Sequence, residues 1–467
     1  MVFAVEKQSA DLSLDKTNYL AQTLRDLPVN ASEEIVDNNF ISISFLKALG
    51  FSNHERVPEF KTGNGNKKVD YALRKNTGDN NFLHTQTNPF LLVELKGRDI
   101  NLEYGARSYQ TTVKQLKDYL LAPKCKSAQW GIITNSKHIQ LFRKHGKTIF
   151  PATTCMEITP DNIGDITNSI KQKIEQTNRA LAVAVYNNKG GVGKTTTVIN
   201  LAAVLTRYKK KVLVVDFDPN QRDLTDSLNA KIGAYKLGEC LKNKKNSDDL
   251  KRTIYTHTTK FKGGETLNFD VVPVDDDFAT LSEDNIRQEI RPNALRKKLD
   301  SLRSEYDYIL IDAPPNWRFH SISAINAADV VLIPTIHNNI RSLENAAMTI
   351  AKLIPEIQQD RQAKSQGLEW GAIALPIFFN GGKITAPARV NAINALAKII
   401  KKVKSQSRFD LLPYIFPQYK PGNNTQIFEL PNNAYIANCG FQRVPAAYRY
   451  RIAHDYYSQL AKEYFLQ

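Results

Sequence analysis

The stretch Tyr186–Ala202, YNNKGGVGKTTTVINLA, decides how this chain is read. It follows the apolar run LAVAV, which has strand character, and it opens a segment with helical spacing. Gly190, Gly191 and Gly193 let a backbone turn tightly, so that successive N–H groups face one point at a helix N-terminus, where an anion is held. The pattern GxxxxGK[ST] is missed by one position, because Asn188 stands where its first glycine belongs. Lys194 follows as the side chain that reaches terminal phosphates, and Thr195 as the hydroxyl that ligates a divalent cation. A glycine-rich turn that binds nothing is the bland alternative, and the strand–loop–helix context weighs against it.

Outward from this loop the C-terminal part alternates strands with helices. LAVAVYNN, KVLVVDFD, FDVVPV, YDYILIDA, DVVLIPT and WGAIALPIFF are near-continuous apolar runs, as parallel strands covered on both faces require. Helical patterns at 194–207, 293–304, 342–353 and 388–404 separate most of them. This predicts a doubly wound α/β domain over 181–467. The stretch 161–180, polar and opened by turn residues, reads as a linker. Before it, residues 1–160 carry a helical SEEIVDNNFISISFLKALGF, with Ser32 as N-cap, and short strands at VDYALR, FLLVELK, QWGIITN and IQLFR. The helical ARSYQTTVKQLKDYLL lies between the second and third strands, so the prediction is a smaller mixed α/β domain.

With 467 residues the chain is too long for one core, and 42% hydrophobic against 24% charged residues excludes wholesale disorder. The formal net charge of +16 favours a polyanionic partner. The last 87 residues carry 12 basic and 4 acidic side chains, concentrated as Lys398, Lys401, Lys402, Lys404 and Arg408 and as Arg443, Arg449 and Arg451. These clusters read either as a phosphate-binding surface or as a solvated helix face, and the nearby Phe441, Tyr448 and Tyr450 fit both. Cys125, Cys155, Cys240 and Cys439 are scattered without a CxxC pair, which argues for a reducing compartment and against a disulfide or zinc scaffold. Eight histidines show no ligand spacing. With no secretory leader or membrane-length apolar run, a cytoplasmic protein is expected.

The loop Lys189-Gly190-Gly191-Val192-Gly193-Lys194-Thr195 resembles the deviant phosphate loop of the ParA/MinD type of partition and positioning ATPases. KVLVVDFDPNQ and YDYILIDAPPN resemble two further family segments, in the right order. The resemblance implies bound ATP and Mg²⁺, held by residues 189–195 with Thr196. It makes Asp218 the residue that orients the attacking water, Asp216 a carboxylate near magnesium, and Asp312 a magnesium ligand through water. It also implies a homodimer in the ATP state, with Lys189 crossing to the partner's nucleotide. Asn220, Trp317-Arg318-Phe319 and the 411–447 stretch depart from the family pattern.

The N-terminal domain resembles the PD-(D/E)xK nucleases, in the branch found in type I restriction enzyme motor subunits. The residues that carry this are Asp70, then Glu94 and Lys96 as Glu-x-Lys, then Gln115 and Tyr119 four apart on a helix; Val69 stands in place of the common proline. Glu34 occupies the place of a further acid. The chemistry asks for these types, since two carboxylates at adjacent strand ends hold Mg²⁺ and a lysine two residues on reaches the same water. The long gap from Asp70 to Glu94 contains NTGDNNFLHTQTNP, which reads as an extended hairpin.

Three readings therefore stand: an ATP-dependent DNA-binding protein whose restriction-type domain cuts duplex DNA with Mg²⁺, in defence or plasmid maintenance; a partition ATPase whose first domain only binds DNA or a partner; or a nucleotide-gated scaffold with no DNA role. A ParB-like accessory protein fits either of the first two. The C-terminal stripe Ile452, Ala453, Tyr456, Tyr457, Leu460, Ala461, Tyr464 and Phe465 reads as core, with no membrane partner.

Overall fold

The computed structural model describes residues 18–176, 180–243, 248–276, 278, 283–381, 384–416, 426–431, 435–436 and 442–467. Cys439 and Phe441 lie outside them. Two compact units divide the chain. The first takes residues up to 177 together with 362–370 and 467; the second takes 178–361 and 371–466.

In the first unit, β1 (Arg56–Lys61), β2 (Lys68–Leu73), β3 (Leu91–Leu95), β4 (Trp130–Thr134), β5 (His138–His145) and β6 (Thr148–Pro151) form one sheet in that order, with β7 (Met156–Glu157) beside β5. Only β3 and β4 run parallel, and the helix Arg107–Leu120 connects them, as a parallel pair needs a crossover. One face of the sheet packs under the helical segment Glu33–Val36, Asp37–Phe45 and Leu46–Ala48, which buries Val36, Phe40, Ile41, Phe45 and Leu46. The other face packs under Arg107–Leu120, through Tyr109, Leu116, Tyr119 and Leu120.

Two local expectations change. The 161–180 stretch is not only connector: Ile163–Glu175 is a helix whose Ile163, Ile166, Ile170 and Ile174 recur at helical spacing and are buried in the first unit. No long hairpin occupies 76–89 among the described residues. A bridge between Thr77 and Asn80 leads into the helical turn Phe82–Thr85, capped by Asn81, because Phe82 is drawn fully into the core beside Phe60.

The second unit has the expected doubly wound sheet. Its strand order is β10 (Tyr255–Lys260), β11 (Thr266–Val272), β9 (Val212–Asp216), β12 (Tyr308–Asp312), β8 (Leu181–Val185), β13 (Val330–Leu332) and β15 (Ile373–Ala374). All neighbours are parallel except β10 and β11. The Val/Ile runs of β8, β9 and β12 are buried along their whole length, with helices on both faces. The runs DVVLIPT and WGAIALPIFF split where Pro334 and Pro376 remove ladder donors. Their far ends, β14 (Pro334–Thr335) and β16 (Phe378–Asn380), form a separate parallel sheet with β17 (Phe428–Leu430). The helix Arg451–Tyr464 packs on the helix Lys194–Arg207 and buries Ala453, Tyr457, Leu460, Ala461 and Tyr464 as expected, whereas Ile452 stays exposed. No helix among the described residues is long and apolar enough to cross a membrane.

Candidate functional site

The loop after β8 is held by three asparagines. Asn187, fully buried, donates from Nδ2 to the Pro334 carbonyl at 2.8 Å. Asn345 Nδ2 donates to the carbonyl of Asn188 at 2.6 Å, and Asn380 Nδ2 to that of Val192 at 2.8 Å. Gly191 and Gly193 have φ of 76° and 79°, the left-handed region that glycine enters without strain. A Cβ at Gly193 would also stand 2.3 Å from Asn380 Nδ2, so the close approach of β16 requires glycine a second time. Gly190 is exposed, Lys189 half-buried and Val192 buried; Thr196 sits in the first turn of the helix, its carbonyl accepting from Asn200.

Lys194 opens that helix. Its Nζ reaches back to the Lys189 carbonyl at 3.3 Å, inside the loop where a phosphate group would lie. Burial lowers its pKa, opposed by the carboxylates of Asp312, Asp218 and Asp223. Asp223, one turn beyond Asp218, is a member of this charge set that no motif pointed to.

The strand register sets Asp312 of β12 directly beside Asp216 of β9. Burial, then the Asp216 charge, hold the Asp312 carboxyl well above the usual carboxylate range, while a hydrogen bond from Thr195 opposes them. Its Oδ1 is buried without a hydrogen-bond partner. An orphaned carboxylate oxygen beside a hydroxyl suits a hard cation. Asp216, expected to lie near magnesium, also has a structural part. Its Oδ2 accepts from the Thr225 backbone N–H at 2.9 Å and hydroxyl at 2.6 Å, and its Oδ1 from the Asp218 N–H at 3.2 Å. With both oxygens engaged it anchors the turn after β9, and burial pushes its pKa up to about 6. Asp218 caps that turn, accepting from the N–H groups of Asn220 and Gln221.

Residues 180–368 match the family model of an AAA domain. Over 191 residues the chain is 31% identical to an uncharacterized protein of Pseudomonas putida, covering 38% of this chain and 67% of that one. Over 252 residues it is 29% identical to the chromosome partitioning protein ParA of Myxococcus xanthus, covering 54% and 78%. Through its second unit the chain belongs to the ParA/MinD-type P-loop ATPases. Among solved structures, the septum site-determining protein MinD of Pyrococcus horikoshii, complexed with Mg-ADP, is 19% identical with a TM-score of 0.40, covering 61% of this chain and 95% of that one. The ATPase unit also carries the basic clusters. Lys398, Lys401, Lys402 and Lys404 are exposed on the helix Ala386–Ser407 with no carboxylate partner among the described residues. Arg443 donates to Asn229 Oδ1 at 2.8 Å, Arg449 is exposed, and Arg451 lies 3.9 Å from Asp455. Tyr448 is buried under the Arg207 guanidinium and Tyr450 stacks on Tyr435, so neither ring stands free.

Outside the ATPase unit, the first unit gathers a second set of polar residues. β2 and β3 pair antiparallel with Tyr71 opposite Val93, and the same register sets Asp70 beside Glu94. The Leu95 N–H donates to Asp70 Oδ2 at 2.6 Å. Lys96, two residues beyond Glu94 and on its side of the strand, donates from Nζ to Glu94 Oε1 at 2.6 Å. Glu94 is 1% exposed and its Oε2 is buried without a hydrogen bond. Burial, then Asp70, push its pKa from 4.5 to about 7. From the crossover helix, Gln115 Nε2 donates to the Tyr119 hydroxyl at 2.8 Å. Burial raises the Tyr119 pKa, and the charges of Glu94 and Asp70 add to the rise.

Glu34 makes no ion pair with them among the described residues; its neighbour Glu33, exposed as well, takes the place, with Oε2 3.8 Å from Lys96 Nζ. One residue is about 100° of helix, so only one of two adjacent acids can face the site. Gly97 sets which one. A Cβ there would stand 3.0 Å from the Glu33 amide nitrogen, and the neighbouring Arg98 N–H donates to the Ala31 carbonyl at 2.8 Å. Asp37, one turn on from Glu33, accepts from the Tyr71 hydroxyl at 2.8 Å, and burial and the charge of Asp70 raise its pKa. Among the described residues no three His, Cys, Asp or Glu side chains form a metal cage. Two carboxylates and a lysine suit a hard cation such as Mg²⁺, which keeps several waters.

Proposed function

We propose that this protein is an ATP-driven switch that acts on DNA: ATP and Mg²⁺ occupy the loop of the ATPase unit, two protomers pair across the bound nucleotide, and hydrolysis separates them. The observation that carries this reading is Asp312 Oδ1, buried and unpartnered beside the Thr195 hydroxyl at the helix that Lys194 opens. Thr195 and Asp312 would hold Mg²⁺, which would neutralise phosphate charge. Lys194 binds the terminal phosphates, Asp218 orients the attacking water, and Lys189 reaches the partner's nucleotide. The exposed lysines of Ala386–Ser407 supply the phosphate contacts to duplex DNA, as the partition activity of the Myxococcus relative suggests. A ParB-like partner and a cytoplasmic location belong to the same reading. Light scattering with saturating ATP tests it. Asp218→Ala should dimerise and turn over poorly, Lys194→Ala should bind no nucleotide, and a monomeric Asp218→Ala would overturn it.

A second reading concerns the first unit, and the orphaned Glu94 Oε2 favours it. In that reading Asp70 and Glu94 hold Mg²⁺, Lys96 stabilises developing charge, Gln115 and Tyr119 orient substrate, and the unit cuts duplex DNA. Supercoiled plasmid with Mg²⁺ or Mn²⁺, incubated with no nucleotide, ATP or a non-hydrolysable analogue, separates the two. Cutting lost in Asp70→Ala, Glu94→Ala and Lys96→Ala, with ATP turnover retained, supports the nuclease. If wild type leaves plasmid intact throughout, the first unit is a DNA- or partner-binding module of a partition-type ATPase.

A further inference from the structure

We propose that the tip of the β1–β2 hairpin, with Lys124 beside it, docks the backbone of duplex DNA and leads one strand towards Asp70 and Glu94. This rests on the reading of the first unit as a DNA-handling domain, whether or not it cuts.

The hairpin tip runs KTGNGNKK over residues 61–68. In the ladder Lys61 stands directly opposite Lys68, and like charges so placed disfavour the pairing. Lys68 is held by Glu59 at 2.5 Å, which leaves Lys61 and Lys67 exposed with no carboxylate partner among the described residues. Lys124 joins them through a specific contact. Its N–H donates to the Thr62 carbonyl at 3.0 Å, and a Cβ at Gly63, whose φ is 83°, would stand 3.0 Å from Lys124 Cγ. Gly63 therefore gives both the turn and the room for the lysine stem.

Lys68 precedes Asp70 by two residues along β2, and the register sets Lys61 beside Lys68. The row of cations thus starts about 7 Å along the strand from Asp70. Phosphates of one DNA strand recur every ~3.4 Å of helix axis, so the row meets the backbone about two nucleotides from the acidic site. Glu33, Asp37, Asp70 and Glu94 repel a polyanion, and cations beside them offset that repulsion. Lysines on an edge strand can also serve only to block sheet-to-sheet aggregation, and the two roles differ in salt dependence.

Fluorescence anisotropy with a short labelled duplex, across a salt series, reads the difference in the full chain. Lys61→Ala/Lys67→Ala/Lys124→Ala should flatten the log–log slope by about 2.7, at about 0.9 per phosphate contact. The matching triple Lys→Arg should retain the wild-type slope, and circular dichroism with limited proteolysis of the first unit confirms that each variant folds. If the slope falls but wild type never cuts plasmid, the docking surface stands and the nuclease reading fails. If wild type cuts and the alanine triple keeps its slope, the docking surface fails alone. A chain that binds no duplex, or whose triple loses affinity only for single-stranded RNA, also overturns it.

Discussion

The side-chain amide of Asn380, at the end of β16, donates to the carbonyl of Val192 within the phosphate loop at 2.8 Å. The loop lacks the first glycine of the strict pattern, and its shape is fixed from outside by this bond and by that of Asn345 to Asn188. One neutral hydrogen bond contributes about 1 kcal/mol, so Asn380→Ala should weaken nucleotide binding about five-fold without unfolding the domain. Gly193→Ala should lose binding altogether, because it meets both a left-handed φ and the Asn380 amide. Calorimetric titration with ATP checks both, and an Asn380→Ala variant with wild-type affinity would show the brace to be dispensable.

Glu33 and Glu34 differ only in helical phase, which makes them an internal control. Glu33→Gln should lower plasmid cutting at least ten-fold if the first unit is a nuclease, while Glu34→Gln should leave it within two-fold; ten-fold corresponds to about 1.4 kcal/mol. Equal effects would mean that neither acid meets the reacting phosphate. Initial rates at fixed Mg²⁺ measure this.

The C-terminal lysines can be tested apart from the hairpin. Lys401→Ala/Lys402→Ala/Lys404→Ala should flatten the salt slope of duplex binding by up to about 2.7, and the effect should add to that of the hairpin triple. A slope unchanged in salt titrations would leave that helix face merely solvated.

His320 gives the ATPase unit a predictable acid sensitivity. Its ring is buried among Phe217, Phe278 and Phe319, Nε2 has no hydrogen bond, and burial lowers its pKa from 6.5 to about 4. The unfolded chain therefore binds the proton first. The stability that neutral His320 contributes is complete above pH 6.5 and is lost as pH falls towards 4. At pH 5 the loss is about 2 kcal/mol. Thermal melts at pH 7.5 and pH 5 should show a smaller acid-induced drop in His320→Phe than in wild type. Equal drops would place the acid sensitivity elsewhere.

What the sequence determined by itself was whatever is local. Period and composition specified the parallel strands of the ATPase unit, because strands covered on both faces must be apolar throughout. Three glycines followed by Lys194-Thr195 specified a phosphate loop, since few backbones can turn their N–H groups on one anion. Asp70, Glu94, Lys96, Gln115 and Tyr119 were legible through their resemblance to a nuclease pattern, whose spacings lie within single strands and helices. Tertiary structure decided the rest. Asn345 and Asn380 lie on elements more than 150 residues from the loop they brace, and an asparagine inside a helix or at a strand end carries no motif. Glu33 displaced Glu34 because the close approach at Gly97, a contact between distant segments, sets the phase of the first helix. Asp216 became a turn anchor because Thr225 came within hydrogen-bond reach of a carboxylate that has no water to turn to. A strand or a loop is chosen by the residues within it. The partner of a buried polar group is chosen by the packing that excludes water, and that exists only once the chain has folded.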